Sequence, residues 1–96
     1  MRYLIQTFLA DSANGEQLKY EIYLKTMKLD AFNKVPEGSC RIMAYKLEGG
    51  LSHLIDDNVD VQPLFDANQP EPNAWYSDGP HRVDINMLIE YLIKKL

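Results

Sequence analysis

Leu9-Ala10-Asp11-Ser12-Ala13-Asn14-Gly15-Glu16-Gln17-Leu18-Lys19-Tyr20 is the stretch on which the fold turns. Asn-Gly is the preferred pair for a two-residue type I′ hairpin, because both positions need positive φ. With Asn14-Gly15 as the turn, Ala13 faces Glu16 and the ladder runs outward. One face then pairs Leu9 with Tyr20, Thr7 with Ile22, Ile5 with Leu24 and Tyr3 with Thr26. The other face pairs Ala10 with Lys19, Phe8 with Glu21, Gln6 with Tyr23 and Leu4 with Lys25. The first face is apolar and the second mixed, so turn chemistry and alternation predict one register for a hairpin of about residues 2–11 and 17–28.

Downstream, residues 29–36 read as a helical turn or loop that ends before Pro36. Residues 39–47 read as a third strand, Ser-Cys-Arg-Ile-Met-Ala-Tyr-Lys-Leu. After Gly49-Gly50, residues 51–55 fit two readings, a strand entered through a tight turn or a short helix starting at Ser52. Val59-Asp60-Val61 reads as the start of an edge strand that stops by Pro63. Residues 66–82, with Pro70, Pro72, Gly79 and Pro80, read as a long loop that holds Trp75 and Tyr76.

The C-terminus is helical by its spacing. Ile85, Leu88, Ile89, Leu92, Ile93 and Leu96 follow the i, i+3, i+4, i+7 rule, Asp84 is placed to cap, and Lys94 and Lys95 suit the negative helix end. The expected fold is therefore α+β: one domain over residues 1–96, with a mainly antiparallel sheet of three to five strands and the C-terminal helix packed across the hairpin's apolar face.

Composition bounds the function. A chain of 96 residues with 46% hydrophobic and 25% charged residues can bury a core without a metal or disulfide staple. The lone Cys40 forms no internal disulfide and points to a reducing, cytoplasmic setting. The apolar start Met1-Arg2-Tyr3-Leu4-Ile5 is broken by Gln6, Thr7 and Asp11, which favours a first strand over a signal peptide. No run approaches the roughly 20 apolar residues of a membrane span.

Charge is uneven along the chain. Residues 1–47 carry net +2, residues 48–84 net −7 and residues 85–96 net +1, for −4 in total. The acidic middle (Glu48, Asp56, Asp57, Asp60, Asp66, Glu71, Asp78 and Asp84) repels nucleic acid and attracts basic surfaces or cations.

Asp56, Asn58 and Asp60 match the first three ligand positions of a calcium loop, but Val61 stands where Gly is required and Ala67 where the bidentate Glu belongs. Cys40, His53 and His81 have no zinc spacing, and no family signature marks Cys40 as a nucleophile beside either histidine. There is no phosphate loop and no GxSxG. The chain is thus expected to be non-enzymatic, with no cofactor and no metal.

The leading expectation is a small protein that acts by contact with a basic protein surface, in the manner of an inhibitor or nucleic-acid mimic from a phage or mobile element. Asp56, Asp57, Asp60, Asp66 and Asp78 would steer the partner and Trp75 and Tyr76 would dock. One alternative is a homo-oligomeric assembly subunit that buries Leu4, Phe8 and Tyr23 of the mixed face. Another is a nucleic-acid-binding sheet face built from Lys19, Tyr23, Lys25, Arg41, Met43 and Tyr45.

Overall fold

A computed structural model describes residues 2–25, 33–68 and 82–95. The hairpin forms from β1 (Tyr3–Asp11) and β2 (Gln17–Leu24), but its turn has three residues rather than two. Ser12 N–H donates to the Glu16 carbonyl at 2.8 Å, and Gly15 N–H donates to the Ser12 carbonyl at 3.0 Å. Gly15 alone adopts positive φ there, +85°, while Asn14 does not. This is a type I turn followed by a left-handed glycine, the usual three-residue hairpin connection. Side chains select it: the Glu16 N–H donates to Ser12 Oγ at 3.1 Å and to Asn14 Oδ1 at 3.2 Å, and the Ser12 hydroxyl donates to Asn14 Oδ1.

The extra turn residue slips the expected register by one. Leu9 faces Lys19, Phe8 faces Tyr20 and Thr7 faces Glu21. Leu18, Tyr20, Ile22 and Leu24 of β2 point inward as expected, but near the turn β1 supplies Phe8 and Ala10 to that face instead of Leu9 and Thr7. Phe8 stacks on Tyr20 with ring centroids 5.1 Å apart, so it does not lie on the outer face with Leu4 and Tyr23. A bulge between Leu4 and Gln6 then shifts the ladder, so that Tyr3 faces Leu24 and Ile5 packs against the core. The expected pairing of Tyr3 with Thr26 is replaced, and Thr26 lies outside the described residues.

The third strand is β4 (Cys40–Glu48), and the strand reading of the next segment holds: β5 spans Leu51–Asp56, not a helix from Ser52. Gly49 and Gly50, with φ of +59° and +78°, make the two-residue turn between them. Both residues need positive φ there, which glycine adopts without strain. The sheet runs β1-β2-β4-β5, antiparallel throughout.

Three segments depart from the sequence reading. Residues 34–36 are strand, not loop or helical turn: β3 (Lys34–Pro36) pairs antiparallel with β6 (Arg82–Asp84), Val35 facing Val83. The expected long loop therefore ends before Arg82, and residues 29–32 lie outside the described set. Val59–Val61 is not an edge strand. Val59 N–H makes one bond to the Ile42 carbonyl, at 2.8 Å, and the chain then enters α1 (Gln62–Ala67). Pro63 opens this helix instead of ending a strand, because a first-turn N–H has no intrahelical partner to lose. Asp60 accepts the Gln62 N–H at 3.0 Å, and Asn68 closes the helix by donating its side-chain amide to the Leu64 carbonyl at 2.8 Å.

Helix α2 (Ile85–Lys94) is as expected, with Asp84 accepting the Asn86 N–H at 2.8 Å. Ile85, Leu88 and Leu92 enter one core with Ile22, Leu24, Ile42, Ala44, Val35, Val83 and Phe65. The two helices and the small sheet thus cover one face of the four-stranded sheet. Leu88 and Leu92 are wholly buried, and each such side chain contributes about 1.5–3 kcal/mol. Among the described residues no helix is long and apolar enough to cross a membrane.

Candidate functional site

Four of the acidic residues singled out in the sequence, Asp56, Asp57, Asp60 and Asp66, make an exposed strip along the chain from the end of β5 into α1. Asp56 ends β5 and accepts the Asn58 N–H at 2.9 Å. Arg41 of β4 ties down the following residue: its Nε donates to the Asp57 carbonyl at 2.8 Å, and its Nη2 lies 3.5 Å from the Asp57 carboxylate. Asp60 sits before α1, its carboxylate bound to the Gln62 N–H and its carbonyl accepting from Lys95 Nζ at 3.2 Å. Asp66 of α1 accepts from Gln62 Nε2 at 2.9 Å, and the same amide nitrogen also reaches Glu37. All four aspartates are exposed. Trp75, Tyr76 and Asp78, the remaining residues of the predicted contact set, lie outside the described residues, as does His81.

The strip is not a cation cage. Among the described residues no three His, Cys, Asp or Glu side chains gather where one ion could be held. The carboxylates of Asp56 and Asp60 instead accept backbone N–H bonds from residues two further on, which fixes their direction.

A second feature is the outer sheet face, opposite the helices. Register places Lys19 beside Tyr45, Glu21 beside Met43 and Tyr23 beside Arg41, so five of the six side chains picked out in the sequence share one face, and Lys25 lies just past the end of β2. Lys19 Nζ sits 4.7 Å from the Tyr45 ring centroid and donates to Ser52 Oγ at 3.3 Å. Tyr23 donates to Glu21 at 3.1 Å. Burial and then this carboxylate push the Tyr23 phenol above its ordinary range, and the same Glu21 carboxylate is the first cause of a rise at Tyr45. Arg2, Tyr23, Arg41 and Met43 line a shallow depression of about 450 Å³. Leu4 and Leu9 of β1 and Leu54 of β5 extend the face as exposed apolar groups.

The third feature escaped the sequence reading. Every residue of β5 is exposed, with Leu51 at 63%, Leu54 at 51% and Ile55 at 56% of full accessibility. Apolar residues beside a glycine turn read as core, and nothing local to them reveals that the helices stop short of β5.

Cys40 is half-buried at the start of β4, and desolvation raises its thiol above the ordinary range. His53 stands opposite Lys46, six residues along β4 from Cys40. At about 3.3 Å per residue the two are separated by roughly 20 Å, too far for a nucleophile–base pair.

Comparison with known protein families, characterised proteins and solved structures finds no match. The fold and surface define a small α+β protein with one sheet face covered and the other open.

Proposed function

We propose that this protein acts by contact, docking the acidic strip Asp56, Asp57, Asp60 and Asp66 on a basic surface of a partner protein. The observation that carries the reading is the fixed geometry of the strip: exposed carboxylates held by backbone and side-chain bonds. Held charges lose little freedom on binding, so they favour association without a large ordering cost. A surface that ordinarily binds phosphates is the natural basic target, which makes inhibition by nucleic-acid mimicry the specific form of the proposal. Trp75, Tyr76 and Asp78 are further docking groups in this reading, on the strength of the sequence. The place of action is the cytoplasm, where a lone Cys40 stays reduced.

The coplanar Lys19, Tyr23, Arg41, Met43 and Tyr45, with Arg2 at the rim, favour a second reading, in which the outer face stacks single-stranded nucleic acid. Glu21, central on that face, opposes it electrostatically.

One experiment addresses both. The tagged protein and its Asp56→Lys, Asp57→Lys, Asp60→Lys variant are used for affinity capture with and without nuclease. A protein that survives nuclease, is lost with the charge reversal and associates more slowly as salt rises supports contact through the strip. Equal capture by the variant removes the strip from the mechanism. Recovery of nucleic acid, abolished by Tyr23→Ala with Arg41→Ala, replaces the first reading with the second.

A further inference from the structure

The uncovered β5 strand carries an inference independent of the acidic strip. Its bonding pattern follows from its turn. A two-residue hairpin closes on a pair that exchanges both backbone bonds, here Glu48 and Leu51, and such pairs recur at every second residue. Lys46 and His53 form the next one in the observed register. The N–H and C=O groups of Leu51 and His53 are therefore spent on β4, and those of Ser52 and Leu54 point to the open edge. The ladder irregularity falls at Ile55, between Leu54 and Asp56, and leaves the bonding of residues 51–54 regular.

We infer that β5 pairs antiparallel with β5 of a second copy of this chain, across a two-fold axis at His53. In that register Ser52 of each copy faces Leu54 of the other, and each pair exchanges both of its outward bonds. Leu51 of each copy faces Ile55 of the other, so the two most exposed aliphatic side chains of the strand gain apolar cross-strand partners. Shifting the axis to Ser52 sets Leu54 against Gly50, and shifting it to Leu54 sets Leu51 against Asp57. Only the His53 axis matches both the outward bonds and the aliphatic pairs. A shift by an odd number of residues between the strands would point bonding groups at non-bonding ones.

Charge permits the same register. Asp56 of each copy stands three residues from the axis, so the two carboxylates lie about 20 Å apart, beyond a Debye length of roughly 8 Å at physiological salt. The other sheet edge is a poorer candidate: Ile5, Phe8 and Ala10 of β1 are packed against the core, whereas every residue of β5 is exposed. Pairing of β5 joins two four-stranded sheets into one of eight strands. The shared edge is short, which places the dimer in a concentration-dependent range.

Sedimentation and light scattering of the full chain over a dilution series test the inference. The expected result is a mass that doubles as concentration rises, with amide exchange at Ser52 and Leu54 slowing in step. Ser52→Pro removes an outward N–H without touching the β4 ladder, and proline is tolerated at such edge positions. That variant should keep a cooperative melt and stay monomeric. His53→Lys sets two ammonium groups face to face on the axis and should weaken the dimer at least tenfold, a check that stands even if the proline variant does not fold. The Asp56, Asp57, Asp60 charge reversal should leave the dimer in place, which separates this inference from the contact reading. A wild-type chain that stays monomeric throughout overturns it. So does a dimer in which His53→Lys has no effect and the Ser52 and Leu54 amides exchange at the monomer rate, because such a dimer uses another surface.

Discussion

Asp84 shows how much one side chain does. It ends β6, accepts the Asn86 N–H at 2.8 Å and so starts α2 at the point where the chain leaves the small sheet. The helix it caps carries Ile85, Leu88 and Leu92 into the core. Replacing an N-cap of this kind with alanine costs about 0.5–2 kcal/mol. Asp84→Ala should therefore lower the unfolding free energy by that amount, read as a lower urea midpoint with an unchanged slope, while Asp84→Asn should retain most of the stability. This role was legible in the sequence because an acidic residue directly before a 3.6-residue apolar pattern has one obvious use. The role of Asn14 was not. The pair Asn14-Gly15 satisfies the two-residue rule, yet Ser12 and Asn14 bind the Glu16 N–H together and select the three-residue turn.

Among the elements, α2 and the third strand came from periodicity and length: the strand stands one residue from its expected bounds, and α2 starts at Ile85 as expected and ends at Lys94, with Leu96 of the pattern outside the described residues. Helix α1 was missed because six residues make too short a pattern. Its signals were present in Asp60 as the acceptor of the Gln62 N–H just before the helix, Pro63 in the first turn, the apolar pair Leu64-Phe65 and Asn68 at the end. Strands β3 and β6 were missed for another reason: they are three residues each and exist through pairing across 48 positions of sequence, which no local pattern encodes. The weight of α2 can be checked directly. Leu92 is fully buried, so Leu92→Asp loses about 2–5 kcal/mol of packing and adds the cost of burying a carboxylate. Against a total stability of about 5–15 kcal/mol, the variant should show no cooperative thermal transition by circular dichroism. A sharp melt would place the stabilising core elsewhere.

For the whole molecule, the two charged regions meet at one point. The outer sheet face carries Arg2, Lys19 and Arg41 with Glu21, the aspartates follow β5 and α1, and the Arg41–Asp57 pair joins them. How the four described aspartates are held was only partly legible: their crowding and the bonds of Asp56 and Asp60 to N–H groups two residues on are local to the sequence, whereas the grip of Arg41 on Asp57 and of Lys95 on the Asp60 carbonyl is tertiary. The net charge of −4 at pH 7 falls to zero near the sequence pI of about 5.0. Loss of mutual repulsion lets exposed edges meet. Turbidity should accordingly rise as pH drops from neutral toward 5, and Ser52→Pro, which blunts the β5 edge, should delay that rise.

The bulge in β1 has a consequence for length variation in this chain. Tyr3 and Leu4 pair with Leu24 and Tyr23, and pairing resumes at Gln6 with Ile22, so Ile5 has no counterpart of its own on β2. Removing one residue there joins two segments of ladder that are already in phase, and taking out Gln6 rather than Ile5 leaves the half-buried Ile5 opposite the buried Ile22. Removing Phe8 instead would set Thr7 opposite Tyr20 and forfeit the Phe8–Tyr20 stack. The strand thus holds one position where the count of residues can change and the fold need not.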